Sequence, residues 1–493
     1  MSRTSSRAPQ TWRKNLQLAA ILTLLVLTLA ISSPAQTFTS LASFDGTNGY
    51  GPGAAMVQAL DGNLYGTAGS GGRLNGGTIF KFAPAGTITL LQNFCTRTNG
   101  CGTGTVPTGS LVLSSNGDFF GTAGGGGQYS TGTVFEATTW GMFHLVYSFC
   151  ALSNCTDGDN PYGLIQATDG KFYGTAYNGG ANDYGDVFKI TAEGQLTTLY
   201  SFCSLSSCAD GEAPGASLLQ AANGNFYGTT NYGGANSSGT IFELTPSGTL
   251  TTLYSFCSQP NCADGNFASK LVQGAKGDFY GTTSEGGANN AGTIFKLTSS
   301  GTFITLYSFC SQANCADGGS SNAELIQAND GNLYGTASSG GAYNVGTLFK
   351  ITVDGAFTKL HDFNTTDGAY PVAALLQATD GKLYGTTAGG GSLGITCTTA
   401  FPGCGTVFSL SSGLTPFVRT LKPWAHVGWS VVIYGSDLTG TTSVKFNGTP
   451  ATFTVVSPTE IETTVPAGAT SGKIQVVTPG GTLSTNAEFH VRS

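Results

Sequence analysis

Residues 269–309 read SKLVQGAKGDFYGTTSEGGANNAGTIFKLTSSGTFITLYSF and contain one complete structural unit. Four short apolar or β-branched runs stand out: SKLVQ at 269–273, DFYGTT at 278–283, GTIFKL at 292–297 and FITLYSF at 303–309. Gly-containing turns separate them, so the stretch predicts four consecutive strands. The first run is short and apolar, which suits the crowded centre of a ring. A single sheet of this size leaves its faces exposed and needs neighbours to cover them.

Those neighbours exist in the same chain. A Tyr/Phe-Gly-Thr triplet recurs seven times, starting at Tyr65, Phe120, Tyr173, Tyr227, Tyr280, Tyr334 and Tyr384, with spacings of 55, 53, 54, 53, 54 and 50 residues. This period fits a four-stranded propeller blade and exceeds a leucine-rich or ankyrin unit. Asp-Gly or Asn-Gly at 169–170, 223–224, 330–331 and 380–381 suits the tight turn between the first two strands, where positive φ is required. The expected fold class is all-β, with a seven-bladed β-propeller over 36–413.

Counting strands adds a closure. The first three strands occur seven times, but eight segments resemble the fourth. The surplus segment, FTSLASF at 38–44, precedes any first strand. It is predicted to supply the outer strand of the last blade, beside strands near 373–376, 382–387 and 406–410. The last such segment, FVRTL at 417–421, fits better as the opening strand of the next domain.

The repeated pattern YGTT…GG…GTIFKLT…GTLTTLYSF resembles the GloVer tandem repeat of bacterial choice-of-anchor surface proteins, over about 37–411. It is more distantly similar to the regulator-propeller repeat. The resemblance implies a bacterial surface protein; this chain departs from it in carrying no apolar tail before Ser493. From 414 to 493 the repeat and the cysteines disappear, and short alternating strands follow at 430–434, 443–446, 451–456, 461–465, 472–477 and 487–491. That density predicts a small immunoglobulin-like β-sandwich. The segment resembles the IPT/TIG family through Pro423, Gly428, Val431, Ile433, Gly435, Val444, Phe446, Gly448, Ala451, Val465, Pro466, Gly472, Val476 and Phe489. In bacterial exoproteins the resemblance implies a spacer or adhesion module.

Residues 1–35 read as a signal peptide. Arg3, Arg7, Arg13 and Lys14 precede an apolar stretch at 16–31, and Ser33-Pro34-Ala35 offers small residues for cleavage. No later stretch is apolar for long enough to span a bilayer. An extracellular or cell-surface location is expected. Without that segment, 16 Lys and Arg face 27 Asp and Glu, so the net charge moves from −7 to −11. Such an acidic chain argues against nucleic acid and anionic membranes as partners and fits a glycan or an extracellular protein.

The twelve cysteines form six close pairs: Cys95/Cys101, Cys150/Cys155, Cys203/Cys208, Cys257/Cys262, Cys310/Cys315 and Cys397/Cys404. Local pairing in an exported chain predicts disulfides. Metal ligation needs four ligands converging on one ion, whereas these pairs recur once per repeat and have no accompanying histidine.

No catalytic constellation is recognisable, and no cofactor or metal site is expected. Of the four histidines, His426 and His490 fall in the sandwich, while His144 and His361 fall on outer strands. The propeller holds only Arg73 and Arg97, too few for a carboxylate-binding arginine cluster. One constellation remains. Asp45, Asp157, Asp210, Asp264, Asp317 and Asp367 each precede glycine in the loops linking consecutive units. They either cap turns or supply oxygens to a cation, with Asp157 and Asp159 the best local pair. Tyr129, Tyr177, Tyr184, Tyr232 and Tyr343 fall in loops of the same face, with Tyr162, Phe267 and Tyr370 in the second loop set. Their rings suit sugars or protein partners, or wedge between blades. The expected function is non-catalytic binding or adhesion through this loop face. A structural surface-layer role and a polysaccharide-acting propeller enzyme are the alternatives.

Overall fold

The computed structural model describes residues 36–493 except 97–100, 108, 275, 393–396, 398–402 and 493. The predicted signal peptide, Arg97 and most of the seventh unit's long loop lie outside the described residues.

Each repeat forms its own antiparallel sheet, and among the described residues seven such sheets arise between Thr37 and Ser411. In the unit quoted above, the strands are Val272–Gln273, Phe279–Glu285, Thr293–Leu297 and Phe303–Ser308, with Asn266–Ala268 as an additional short strand against the second. The first strand is thus shorter than the SKLVQ run predicts. In the seventh sheet, Thr37–Ser43 pairs with Thr406–Ser411, placing Phe38 opposite Leu410. The surplus N-terminal segment is therefore the outer strand of the last unit, as expected from the strand count.

The three residues of the repeated triplet have three different duties. The tyrosine hydroxyl holds the turn between the first two strands: Tyr65 donates to Asp61 at 2.8 Å, Tyr334 to Asp330 at 2.9 Å and Tyr384 to Asp380 at 2.9 Å. The glycine makes room for the phenylalanine of the third strand. A Cβ on Gly281 would lie 2.5 Å from Phe295 Cζ, and Gly66, Gly121, Gly174, Gly228, Gly335 and Gly385 meet their own phenylalanines in the same way. The threonine reaches into the next unit. Its hydroxyl donates to a carbonyl ahead of that unit's first strand: Thr175 to Ala216 at 3.0 Å, Thr336 to Pro371 at 3.1 Å and Thr67 to Gly109 at 3.4 Å.

A second belt joins the same neighbours near the other end. The Gln166, Gln220, Gln273, Gln377 and Gln58 side chains accept the backbone N–H of Ser115, Thr168, Ala222, Asn329 and Thr379 in the preceding sheet, at 2.9 to 3.1 Å.

Apolar packing follows this order. Phe120 stacks on Phe172 at 4.1 Å and Tyr173 on Phe226 at 4.1 Å, each pair bridging two units. Seven buried clusters lie between consecutive sheets, and the one holding Phe44, Leu64, Phe80, Tyr384 and Val407 joins the last sheet to the first. Each buried phenylalanine contributes about 2 kcal/mol, so the sheets are stable through each other rather than alone. Ala55, Ser110, Tyr162, Ser217, Lys270, Glu324 and Ala374, one from each unit, line a narrow central cavity of about 80 Å³.

The C-terminal segment builds two four-stranded sheets around Val431, Ile433, Val444, Phe446, Ile461, Ile474, Val476 and Phe489. Arg419–Thr420 opens the first of them against Ser430–Tyr434, in line with the FVRTL expectation. The sequence reading omitted Gly481–Ser484, which forms an edge strand, and Trp424–His426, which pairs in parallel with His490–Arg492. The domain docks on the turns between first and second strands. Thr459 donates to the Leu60 carbonyl at 2.6 Å, Asn329 Nδ2 to the Thr415 carbonyl at 2.7 Å and Arg419 to the Gln377 carbonyl at 2.9 Å. The loops that link consecutive units emerge at the opposite end.

Candidate functional site on the loop face

Two loop sets share that opposite end: those between second and third strands, and those leading from each fourth strand to the next unit. The second set carries disulfides Cys95–Cys101, Cys150–Cys155, Cys203–Cys208, Cys257–Cys262 and Cys310–Cys315, while Cys397–Cys404 lies in the first set. All six cysteine pairs are those predicted from spacing.

The aspartates are clasps for these loops. Asp157, Asp210, Asp264 and Asp317 are fully buried. Asp317 accepts the Tyr307 hydroxyl at 2.7 Å, the Ser311 N–H and hydroxyl at 2.9 Å and the Gln312 N–H at 3.2 Å. Asp157 is held in the same way by Tyr147 and the N–H groups of Ala151 and Leu152. Burial and the adjoining carboxylate push Tyr200 and Tyr307 up to about 12, keeping both hydroxyls as donors. Asp45 and Asp367 close shorter turns through Thr47, Asn48 and Asn364. The turn-capping reading of the ring is the one the geometry follows. Asp159 is half-buried and pairs with Asn178 across the strands; burial and then Asp183 raise its pKa. Among the described residues, one trio of possible metal ligands converges: Cys203, Cys208 and Glu212. Its two sulfurs are already joined in a disulfide.

Asp186 was missed by the sequence reading, although its signal was present. It stands in GDVFKI where other units have Gly-Thr. Thr78 and Thr406 at this position donate to the Asn48 and Asp367 carbonyls at 2.9 and 3.1 Å. Asp186 is fully buried, and neither carboxylate oxygen has a partner. Burial, and secondarily the Asp157 charge, raise its pKa well above the ordinary value.

The predicted tyrosines separate into two groups. Tyr129, Tyr184 and Tyr343 are exposed on three different units, and the Tyr184 carbonyl accepts the Ala213 N–H of the next unit. Tyr177 and Tyr232 come together instead. The Tyr177 hydroxyl raises the Tyr232 pKa by its proximity, followed by burial and the Glu285 and Glu212 carboxylates, and Tyr232 remains 39% exposed. The Tyr232 ring meets Phe267 edge-on at 5.3 Å. Tyr162 continues the group inward: burial, then Glu324, then Tyr177 raise its pKa. Glu324 forms a 3.3 Å ion pair with Lys270 in the central cavity. Cross-strand pairing sets Glu212 against Tyr232 and Asn266 against Glu285. Tyr162, Lys270 and Glu324 line the central cavity, and Tyr177, Tyr232, Phe267, Glu212 and Glu285 lie in the neighbouring loops of the same face. Glu212, Glu285, Glu324 and Lys270 escaped the sequence reading because their loops are brought to one axis only by the stacking of sheets.

Comparison with known proteins places this geometry. No curated protein matches the chain. Among solved structures, a streptogramin B lyase superposes with a TM-score of 0.51 at 14% identity, over 76% of this chain and 97% of the lyase. A fungal alcohol oxidase of the AA5 family, in complex with copper, gives a TM-score of 0.50 at 14% identity, over 93% of this chain and 99% of the oxidase. At that identity the likeness is one of propeller-like fold alone. The Gloeobacter/Verrucomicrobia repeat matches over residues 28–155, 151–316 and 258–452, and the IPT/TIG domain over 416–491. The chain that folds into these clasped, stitched repeats therefore belongs to the Gloeobacter/Verrucomicrobia repeat family and carries an IPT/TIG domain at 416–491.

Proposed function

We propose that residues 36–413 form a seven-bladed β-propeller that serves as a non-catalytic binding protein, exported by the segment at 1–35 and displayed outside the cell. Its ligand is a glycan held at the mouth of the central cavity on the loop face. The carrying observation is the Tyr162, Tyr177, Tyr232 and Phe267 group with Glu212, Glu285 and Glu324 beside it. Ring faces stack on the C–H faces of sugars, while carboxylates accept sugar hydroxyls. Six disulfides and the absence, among the described residues, of a helix long and apolar enough to cross a membrane agree with this placement. In this reading the IPT/TIG domain at 414–493 leaves the loop face open to ligand.

A glycan array probed with the mature chain and with a Tyr177→Ala/Tyr232→Ala variant tests the reading. Glycan signals that disappear in the variant are expected. An empty array, or signals that survive the double substitution, would overturn it, and capture of an envelope protein instead would favour a protein ligand.

A further inference from the structure

Trp12 falls in the predicted signal peptide, which leaves three tryptophans: Trp140, Trp424 and Trp429. None of the three is in a core. Trp140 and Trp429 are 71% and 53% exposed, and Trp424 is partly exposed. All three lie at the end of the sheets where the IPT/TIG domain docks, away from the loop face.

Trp140 occupies a turn between third and fourth strands. The turn closes through its backbone, with Gly141 N–H donating to the Thr138 carbonyl at 3.1 Å. Equivalent turns close identically around Glu193, Ser247, Ser300 and Asp354. A tryptophan is therefore not needed for folding, and the repeat itself supplies the control residues. Trp140 lines a cleft of about 620 Å³ where units one and two meet the IPT/TIG domain, together with Asp61, Asn116, Asp118, Thr459 and Glu460. Trp424 lines a second cleft of about 270 Å³ where units two and three meet the IPT/TIG domain, beside Leu113, Ser115, Gln166 and Lys422. One short turn, 113–118, borders both clefts. Beyond Trp424, the Trp429 ring follows at 6.1 Å, and the Arg492 guanidinium lies 3.7 Å over Trp424.

Polar groups between the tryptophans have spare acceptor capacity. In unit five, Asp278 is paired with Lys296 at 2.7 Å. In unit two the corresponding residues are Asp118 and Glu136, so the aspartate loses its cation and keeps a single 2.9 Å side-chain bond from Asn116.

We propose that the junction of unit two with the IPT/TIG domain is a second binding site, taking a neutral linear glycan laid from Trp140 across the 113–118 turn to Trp424 and Trp429. Tryptophan faces stack on successive sugar rings, and Asp118, Asn116 and Glu460 accept or donate to hydroxyls. The larger cleft falls within the volume range of ligand sites, about 300–1,000 Å³, and the smaller lies just below it. Asp118 and Glu460, on a chain of net charge −11 once four signal-peptide bases are removed, select against uronates at the Trp140 end, while Lys422 and Arg492 stand at the Trp424 end. This site does not rest on the loop-face reading.

Because no tryptophan is on the loop face, intrinsic tryptophan emission of the mature chain reports this site alone. The probes are soluble cellooligosaccharide, chitooligosaccharide and mannooligosaccharide, with an oligogalacturonate as the charged comparison. A saturable emission change with at least one neutral probe is expected. Trp140→Ser, which installs the residue of units four and five, should weaken binding about tenfold. Trp424→Ala/Trp429→Ala should weaken it as well, while Tyr177→Ala/Tyr232→Ala should leave it unchanged. No saturable change with any neutral probe, full affinity in Trp140→Ser, or a response to oligogalacturonate alone would overturn the proposal.

Discussion

The Thr386 hydroxyl donates to the Pro52 carbonyl at 3.3 Å, across 334 positions of sequence. Thr379 N–H and Gln58 Oε1, 321 positions apart and 2.9 Å from each other, make a second bond between the same two units. Both belong to belts that elsewhere join sequence neighbours. Here they join the two ends of the repeat array, where the chain entropy to be overcome is largest.

Thr386→Val keeps the shape and removes the donor, leaving a buried carbonyl unpaired. The expected loss is about 1–3 kcal/mol in urea unfolding, and Thr386→Ser should recover most of it. Deleting 36–45, which removes the outer strand paired with Thr406–Ser411, should lower the melting temperature far more. An unchanged melting temperature would show that the last sheet does not need that strand.

Gly281→Ala brings a methyl to 2.5 Å from Phe295 Cζ, inside a packed interface. Overpacking of this kind costs about 1–3 kcal/mol. Adding Phe295→Leu should return part of the loss, so the double variant should be more stable than the two single losses predict. Strict additivity in chemical unfolding would remove Phe295 as the reason for the glycine.

Asp186→Thr should stabilise the chain at neutral pH by about 1–3 kcal/mol, since it replaces an unpartnered buried acid with the repeat's own hydroxyl. The folded pKa of Asp186 is raised. Its protonated form therefore stabilises fully below the unfolded value of about 3.9, and that contribution is lost as pH rises through the folded value. Unfolding measured from acid to neutral pH should show this decline in the wild type and a shallower one in the variant. Parallel profiles would assign Asp186 no titration in this range.

Asp317 behaves in the opposite sense. Burial raises its pKa, but the hydrogen bonds from Tyr307, Ser311 and Gln312 outweigh this and leave it lowered. Its stabilisation is present above about pH 3.9 and is lost as pH falls through the folded value. Asp317→Asn should cost about 1.5–3 kcal/mol at neutral pH with the Cys310–Cys315 disulfide intact. It should also flatten the acid limb of the stability profile.

What the sequence by itself determined is local and periodic. The Tyr-Gly-Thr triplets, the turn glycines and the cysteine spacings recur at one interval, and each acts within a few residues of its own position or on the adjacent repeat. The surplus FTSLASF segment was legible for the same reason, since counting strands needs no geometry. The tertiary structure alone decided which recurring residues have spare chemistry. Asp157 and its counterparts looked like possible cation ligands until the loop N–H groups and tyrosine hydroxyls filled their oxygens. Tyr177 and Tyr232 looked no different from Tyr129 or Tyr343 until stacking brought the loops of two adjacent units together. The physical reason is common to both cases. Hydrogen bonds and ring contacts form over a few ångströms, and residues about fifty positions apart reach that separation only after the sheets have closed against one another.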